Sequence, residues 1–191
     1  MPKKNMTTPK GYAVWPWLNE PDSRWDKPEY KVSLKMTNED GAELLEKLQE
    51  FYKSGYMEEA KKQGKQRLKK APMPWSEVED DQGNLTGEIQ FKFKNRASYE
   101  YEGKVVENRV VLKDRHGQIV ESRIGSGSLI RVGFEPYVWH VASMGVGMTL
   151  RVKAVQVLEL VEYNGGGGDD FDFEFEPTSA SDTGAEDPFG F

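Results

Sequence analysis

The chain has 191 residues, 26 Lys and Arg against 32 Asp and Glu, a formal charge of −6, 12% aromatics and no cysteine. That length suits one domain with a real core, and the absence of cysteine excludes a disulfide framework and Cys-ligated zinc while fitting a reducing cytoplasm. No window approaches about eighteen apolar residues and Met1-Pro2-Lys3-Lys4 leads into polar sequence, so a soluble intracellular protein is expected, without leader or membrane span.

Residues 1 to 10 are basic and irregular. Gly11 to Leu18 holds Trp15 and Trp17 split by Pro16, which cannot donate to a ladder, so an edge strand or an aromatic loop is expected, followed by loop to Pro28. Tyr30 to Met36 alternates strictly, with Tyr30, Val32, Leu34 and Met36 on a core face and Lys31, Ser33 and Lys35 on a basic one. Thr37-Asn38 offers a cap to an amphipathic helix carrying Leu44, Leu45, Leu48, Phe51 and Tyr52, and Ser54-Gly55 reads as its end. Tyr56 to Lys70 reads as a second helical piece, so the helical insertion spans about 38–70. Its last third places Lys61, Lys62, Lys65, Arg67, Lys69 and Lys70 within ten residues, either a solvated face or a binding surface. Pro72 and Pro74 close it, and acidic Glu77 to Asp81 leads into the turn Gln82-Gly83-Asn84.

From Ile89 the period is two. Ile89, Phe91 and Phe93 alternate with Gln90, Lys92 and Lys94, and Arg96 follows on the polar side. Val105 to Lys113 reads as a strand, Asp114-Arg115-His116-Gly117 as a hairpin turn and Gln118 to Ile124 as its return. Leu129 to Trp139 is a further strand, bent at Pro136 into an exposed rim, and Met148 to Val161 is the longest. The expected fold is mainly β, an OB-fold-like Greek-key barrel with an inserted helical segment, with a β-sandwich as the structural alternative.

Catalytic chemistry has little to work with. The two histidines stand apart, His116 in a turn and His140 beside Trp139, and no Gly-x-Ser-x-Gly elbow is present. Gly125-Ser126-Gly127-Ser128 lacks the Lys-Ser/Thr of a phosphate loop, and the acidic clusters have no ligand spacing for a metal. No enzyme, no cofactor and no metal are therefore expected, and a nuclease is disfavoured. Binding is better supplied: Lys92, Lys94 and Arg96 share one strand face, Lys31 and Lys35 another, and Tyr137 and Trp139 a third, with Trp15 and Trp17 as further rings. Cations for phosphates and flat rings for bases are what sequence-tolerant single-strand binding requires.

The end of the chain differs from the rest. Residues 169 to 191 hold eight acidic groups and no Lys or Arg, which leaves 26 basic against 24 acidic groups in the remainder. Division into a binding domain, 1–164, and a flexible glycine-rich linker with an acidic tail ending in an aromatic, 165–191, is expected. Asp169, Asp170, Phe171, Phe173, Phe175, Glu186, Asp187, Phe189 and Phe191 are its candidate partner-binding residues, and its charge suits it to imitate the anion the body binds. A different class of reading makes the tail the ligand of a protein-interaction adaptor and the barrel a carrier that binds no nucleic acid.

The Met-x-Lys-Lys start, Tyr30-Lys31-Val32-Ser33-Leu34, Phe91-Lys92-Phe93-Lys94 with Ala97-Ser98, the turn Asp114 to Gly117, Ile124-Gly125, Pro136-Tyr137-x-Trp139, Leu158-Glu159-Leu160, the glycine-acid junction and the terminal Phe occur in one order. In that order they resemble the phage-encoded single-stranded DNA-binding proteins of the T-seven type of short-tailed bacteriophage. The resemblance implies an OB fold that binds single-stranded DNA without catalysis in replication, recombination and repair. It also implies a tail that contacts the phage DNA polymerase and primase-helicase, a homodimer, and residence in the cytoplasm of the infected bacterial host. It assigns DNA contacts to Lys3, Lys94 and Tyr137, with Lys27 near a further basic position. The chain departs from the pattern at Asn95-Arg96, where the family tends to an aromatic and Arg96 would substitute through cation-π contact.

Overall fold

The computed structural model describes residues 4–163. Lys3, the glycine-rich linker and every tail residue named above lie outside the described residues. Among the described residues ten strands and one helix follow in the order β1 (Met6–Thr7), β2 (Gly11–Asp22), β3 (Glu29–Thr37), α1 (Asn38–Lys62), β4 (Trp75–Glu79), β5 (Leu85–Arg96), β6 (Ser98–Tyr101), β7 (Lys104–Glu107), β8 (Val111–Asp114), β9 (Leu129–Val141) and β10 (Gly145–Glu159).

Five strands close on themselves. β2 pairs β3, β3 pairs β5, β5 runs parallel to β10, β10 pairs β9, and β9 returns to β2. The result is a Greek-key barrel, mainly β with one helix inserted after its second strand, as expected from the alternation. Inward residues from every barrel strand meet in one core: Ala13, Leu18, Val32, Leu34, Phe91, Phe93, Ile130, Phe134, Leu150 and Val152 are all buried. Phe93 and Phe134 meet edge to face, with ring centroids 5.1 Å apart, a favoured aromatic geometry.

Closure is uneven. The β9–β10 ladder is long, whereas β5 touches β10 through one pair, Phe93 with Leu150. Before Phe93 the same edge of β5 is taken by β4, from Trp75 opposite Phe91 to Glu79 opposite Leu85. Beyond it the Asn95 side chain is turned inward and donates to the carbonyl of Val152 at 3.2 Å. An amide replaces a ladder bond there, which satisfies a buried carbonyl at the seam.

Several elements differ from expectation. β2 is a full barrel strand reaching Asp22: its register shifts between Val14 and Trp17, a bulge that carries Pro16 and leaves Trp15 at φ +49. Bulges are where a strand accommodates a proline. The helix is continuous through Ser54-Gly55 and ends at Lys62. Gly55 is there for close packing, since a Cβ would lie 2.7 Å from Val138. The actual stop is Gly64, at φ +61, with Gly64 N–H donating to the Lys61 carbonyl and Lys65 N–H to Ala60, the bond pair of a Schellman cap. Residues 63–70 are thus irregular, not helical. Trp75–Glu79 is a strand, Val105 to Lys113 divides into β7 and β8, and Gln118 to Ile124 makes only isolated bridges. Around Pro136 β9 stays regular and Pro136 itself is buried opposite Leu150. A proline is tolerated because, among the described residues, β9's other edge is paired only as far as Phe134.

The end of β2 is held by charge. Asp22, 1% exposed, accepts from Arg24 through both carboxylate oxygens at 2.8 Å and pairs with Lys31 on β3. Hydrogen bonding from Arg24 first, then from Lys31, holds the Asp22 carboxyl far below the usual carboxylate range. A depressed folded-state pKa means that the unfolded chain takes up the proton first as pH falls. The stabilisation is therefore complete above the ordinary value of about 3.9 and is lost below it. Asp22→Asn should melt lower than the parent by a constant margin above about pH 5, and the margin should shrink as pH falls below about 4; thermal melts across pH check this, and a margin independent of pH contradicts it.

Candidate nucleic-acid interface

The outer faces of the barrel strands around the sparse seam carry few apolar residues. On β3 and β5, Lys31 stands opposite Lys94, Ser33 opposite Lys92 and Glu29 opposite Arg96. On β9 and β10, Tyr137 stands opposite Thr149, Glu135 opposite Arg151 and Trp139 opposite Gly147. Because β5 and β10 meet at one point, these two surfaces are the sides of an open trough.

Two adjoining recesses make up the trough. One, of about 440 Å³, is lined by Trp15, Lys31, Lys92, Lys94 and Trp139, with Pro72, Met73 and Pro74 as a wall. The other, of about 740 Å³, is lined by Lys94, Arg96, Tyr137, Trp139, Arg151 and Lys153, with Tyr99 and Tyr101 above them. Lys94, Trp139 and Thr149 belong to both, so the two are continuous. Lys92, Lys94 and Arg96 have no ion-pair partner among the described residues, whereas Lys31 is engaged by Asp22 and Lys153 lies 4.0 Å from Glu135. Three uncommitted cations on one strand face make a surface ready for a polyanion.

The rings are held in place. Trp139 donates its indole N–H to Thr149 Oγ1 at 3.0 Å. Its six-membered ring lies over Gly147, where a Cβ would come within 2.3 Å of Cζ2. Glycine at that position is a close-approach requirement: the indole lies against bare backbone. Tyr137, 44% exposed, has the Arg151 guanidinium over its ring at 4.0 Å, a cation-π contact that leaves the tyrosine's other face open.

Of the residues read from the sequence, Trp15, Lys31, Lys92, Lys94, Arg96, Tyr137 and Trp139 line the trough. Trp17 does not: it lies between the guanidinium groups of Arg24 and Arg123, 5.2 and 5.6 Å from the ring centroid. Lys27 lines a smaller recess beside Trp25, Asp26 and Glu29. The sequence reading passed over Tyr99 and Tyr101. They alternate on β6, joined to β7 by Glu102 and Gly103 at φ +49 and +73, the left-handed pair of a tight hairpin turn. It also passed over Arg151 and Lys153, although the Thr149-x-Arg151-x-Lys153 alternation on the longest strand is the signal that would have found them. Among the described residues no group of three or more His, Cys, Asp or Glu is placed to hold a metal ion.

A closed Greek-key barrel with a cationic, ring-lined trough across its seam belongs to the class of barrels that present a sheet face to an extended ligand. The particular family follows from comparison. The family model described as Single-stranded DNA-binding protein, Bacteriophage T7, matches residues 7–160, and this chain belongs to that family. It is 31% identical over 161 residues to the single-stranded DNA-binding protein of Enterobacteria phage T3, covering 77% of this chain and 68% of that one. The crystal structure of gp2.5, a single-stranded DNA-binding protein encoded by bacteriophage T7, matches with a TM-score of 0.72 at 24% identity, over 92% of this chain and 97% of that one. The single-stranded DNA-binding protein of bacteriophage Enc34 in complex with single-stranded DNA matches with a TM-score of 0.62 at 14% identity, over 84% and 89%.

Gly147→Ala should displace the Trp139 indole and break its bond to Thr149 without emptying the core. The indole N–H resonance of Trp139 should move and Trp fluorescence change, and an unshifted resonance would show that the ring does not depend on bare backbone at 147.

Proposed function

We propose that this chain binds single-stranded DNA without sequence preference, through the trough, and without catalysis. The observation that carries the reading is the coincidence on one surface of three cations unpaired among the described residues, Lys92, Lys94 and Arg96, with two pre-positioned rings, Tyr137 and Trp139. Cations track a phosphate backbone and ring faces stack bases of any identity. Membership of a family of phage single-stranded DNA-binding proteins supports it, as does a fold shared with a barrel whose structure includes single-stranded DNA.

The protein serves phage DNA replication, recombination and repair in the cytoplasm of the infected bacterial host, and acts as a homodimer. Its tail, from Asp169 to Phe191, competes with DNA for the trough and recruits the phage DNA polymerase and primase-helicase. Tethering supplies an effective concentration on the order of millimolar, enough for weak competition. No cofactor takes part.

Two measurements test this. Tyr137→Ala should weaken binding of oligo-dT and oligo-dA alike, by about 1–3 kcal/mol, and a loss confined to one base would indicate sequence reading. Deleting 169–191 should tighten binding at low salt; unchanged affinity removes the competition, and no gel shift by the full chain at low salt returns the adaptor reading.

A further inference from the structure

The six cations from Lys61 to Lys70, at the end of α1 and in the irregular segment after it, line neither recess of the trough. Lys61 and Lys62 close α1, where cations complement the helix C-terminus, and Lys62 lies 3.6 Å from Glu58. Lys70 sits over the Tyr56 ring at 5.4 Å. Lys65, Arg67 and Lys69 are exposed and have no ion-pair partner among the described residues, and Lys69 Nζ donates one hydrogen bond, to the Ser143 carbonyl at 3.2 Å.

Their backbone is fixed with some care. Tyr56 Oη donates to the Leu68 carbonyl and accepts from the Leu68 N–H, both at 2.8 Å. Ala71 N–H donates to the Val146 carbonyl and Val146 N–H to that of Lys69, so residues 69–71 form a short parallel bridge with the start of β10. That approach needs Gly145, at φ +97, where a Cβ would fall 2.2 Å from the Lys69 carbonyl oxygen. An irregular, cationic segment is thus docked on the barrel at a position that tolerates no side chain.

The docking places it at one mouth of the trough. Pro72, Met73 and Pro74, the wall beside Trp139, directly follow Ala71 in the chain, and Val146 directly precedes Gly147, on which Trp139 rests. Counting back along the chain from that wall, Lys69 comes first, then Arg67 and Lys65. We propose that residues 65–69 form a second, purely electrostatic subsite for single-stranded nucleic acid, gripping the phosphates of the strand after it leaves the ring-lined trough. The subsite rests on the trough reading, because the trough sets where the strand emerges. It has no ring of its own to stack a base, so it adds affinity through phosphates alone and serves only ligands longer than the trough.

The test compares oligo-dT of about 5 and about 20 nucleotides, one near the lower end and one beyond the upper end of the about 4–16 that one such barrel covers. The full chain is compared with its Lys65→Ala/Arg67→Ala/Lys69→Ala variant. The variant should bind the short oligomer within twofold of the parent. It should bind the long one at least tenfold more weakly at low salt, with a salt slope reduced by about 2, the amount for three phosphates at about 0.7 each. Equal affinity and slope for the long oligomer overturn the subsite, as does an equal loss at both lengths. A Lys92→Ala/Lys94→Ala variant gives the separate check on the trough: if it binds the short oligomer like the parent, the trough reading fails whatever the 65–69 variant does.

Discussion

The single bridge between Phe93 and Leu150 governs this molecule. A barrel whose seam was fully zipped would present a convex, continuous outer surface. Here β5 gives its edge to β4 up to Phe91 and meets β10 only at Phe93, after which a buried asparagine amide takes over. The core stays closed, because Phe93, Phe134, Leu150 and Val152 fill the interior behind the gap. The outer faces of β5 and β10 diverge, and the trough is what that divergence leaves. Lys92, Lys94, Arg96, Tyr137 and Trp139 line it because they occupy outward positions on either side of the seam.

Division of labour follows from the same geometry. The β5 side contributes charge and the β9–β10 side contributes rings, each supported from beneath: Trp139 by bare backbone at Gly147 and a bond to Thr149, Tyr137 by Arg151. Pre-positioned rings lose little freedom when a base stacks on them, which lowers the entropic cost of binding. The short hairpin with Tyr99 and Tyr101 lies over one recess and the Pro72–Pro74 wall bounds the other. Residues 69–71, which lead into that wall, are held by backbone bonds to Val146, so the wall and the seat of Trp139 depend on the same strand, β10.

Much of this was legible in the sequence because strict alternation encodes faces. Lys31, Lys92, Lys94 and Arg96 could be placed outward, and Phe91 and Phe93 inward, without any structure. What alternation cannot encode is which strand lies next to which, so the role of Asn95 at the seam was invisible. Glycine misled in a specific way. Gly55 looked like a helix stop and is a packing contact with Val138, whereas Gly64, the residue that actually adopts the left-handed cap, lay inside a stretch of six cations in ten residues. Pro136 looked like a bend, and is a regular strand residue because, among the described residues, the edge it faces has no partner to lose. The hairpin tyrosines escaped because four-residue strands carry too little periodicity to register, and their Glu-Gly turn lacks the usual Asn-Gly signal.

Photo-crosslinking of oligo-dT to the full chain, followed by mass-spectrometric mapping of the modified peptides, tests the central claim most directly. The trough predicts crosslinks at Tyr137 and Trp139 on β9, with Trp15 and the Tyr99–Tyr101 hairpin next, and none at the core-facing Phe91 or at Trp17 between its two arginines. Crosslinks concentrated at Trp17 or Trp25, with β9 unmodified, would place the nucleic acid on another face and contradict it.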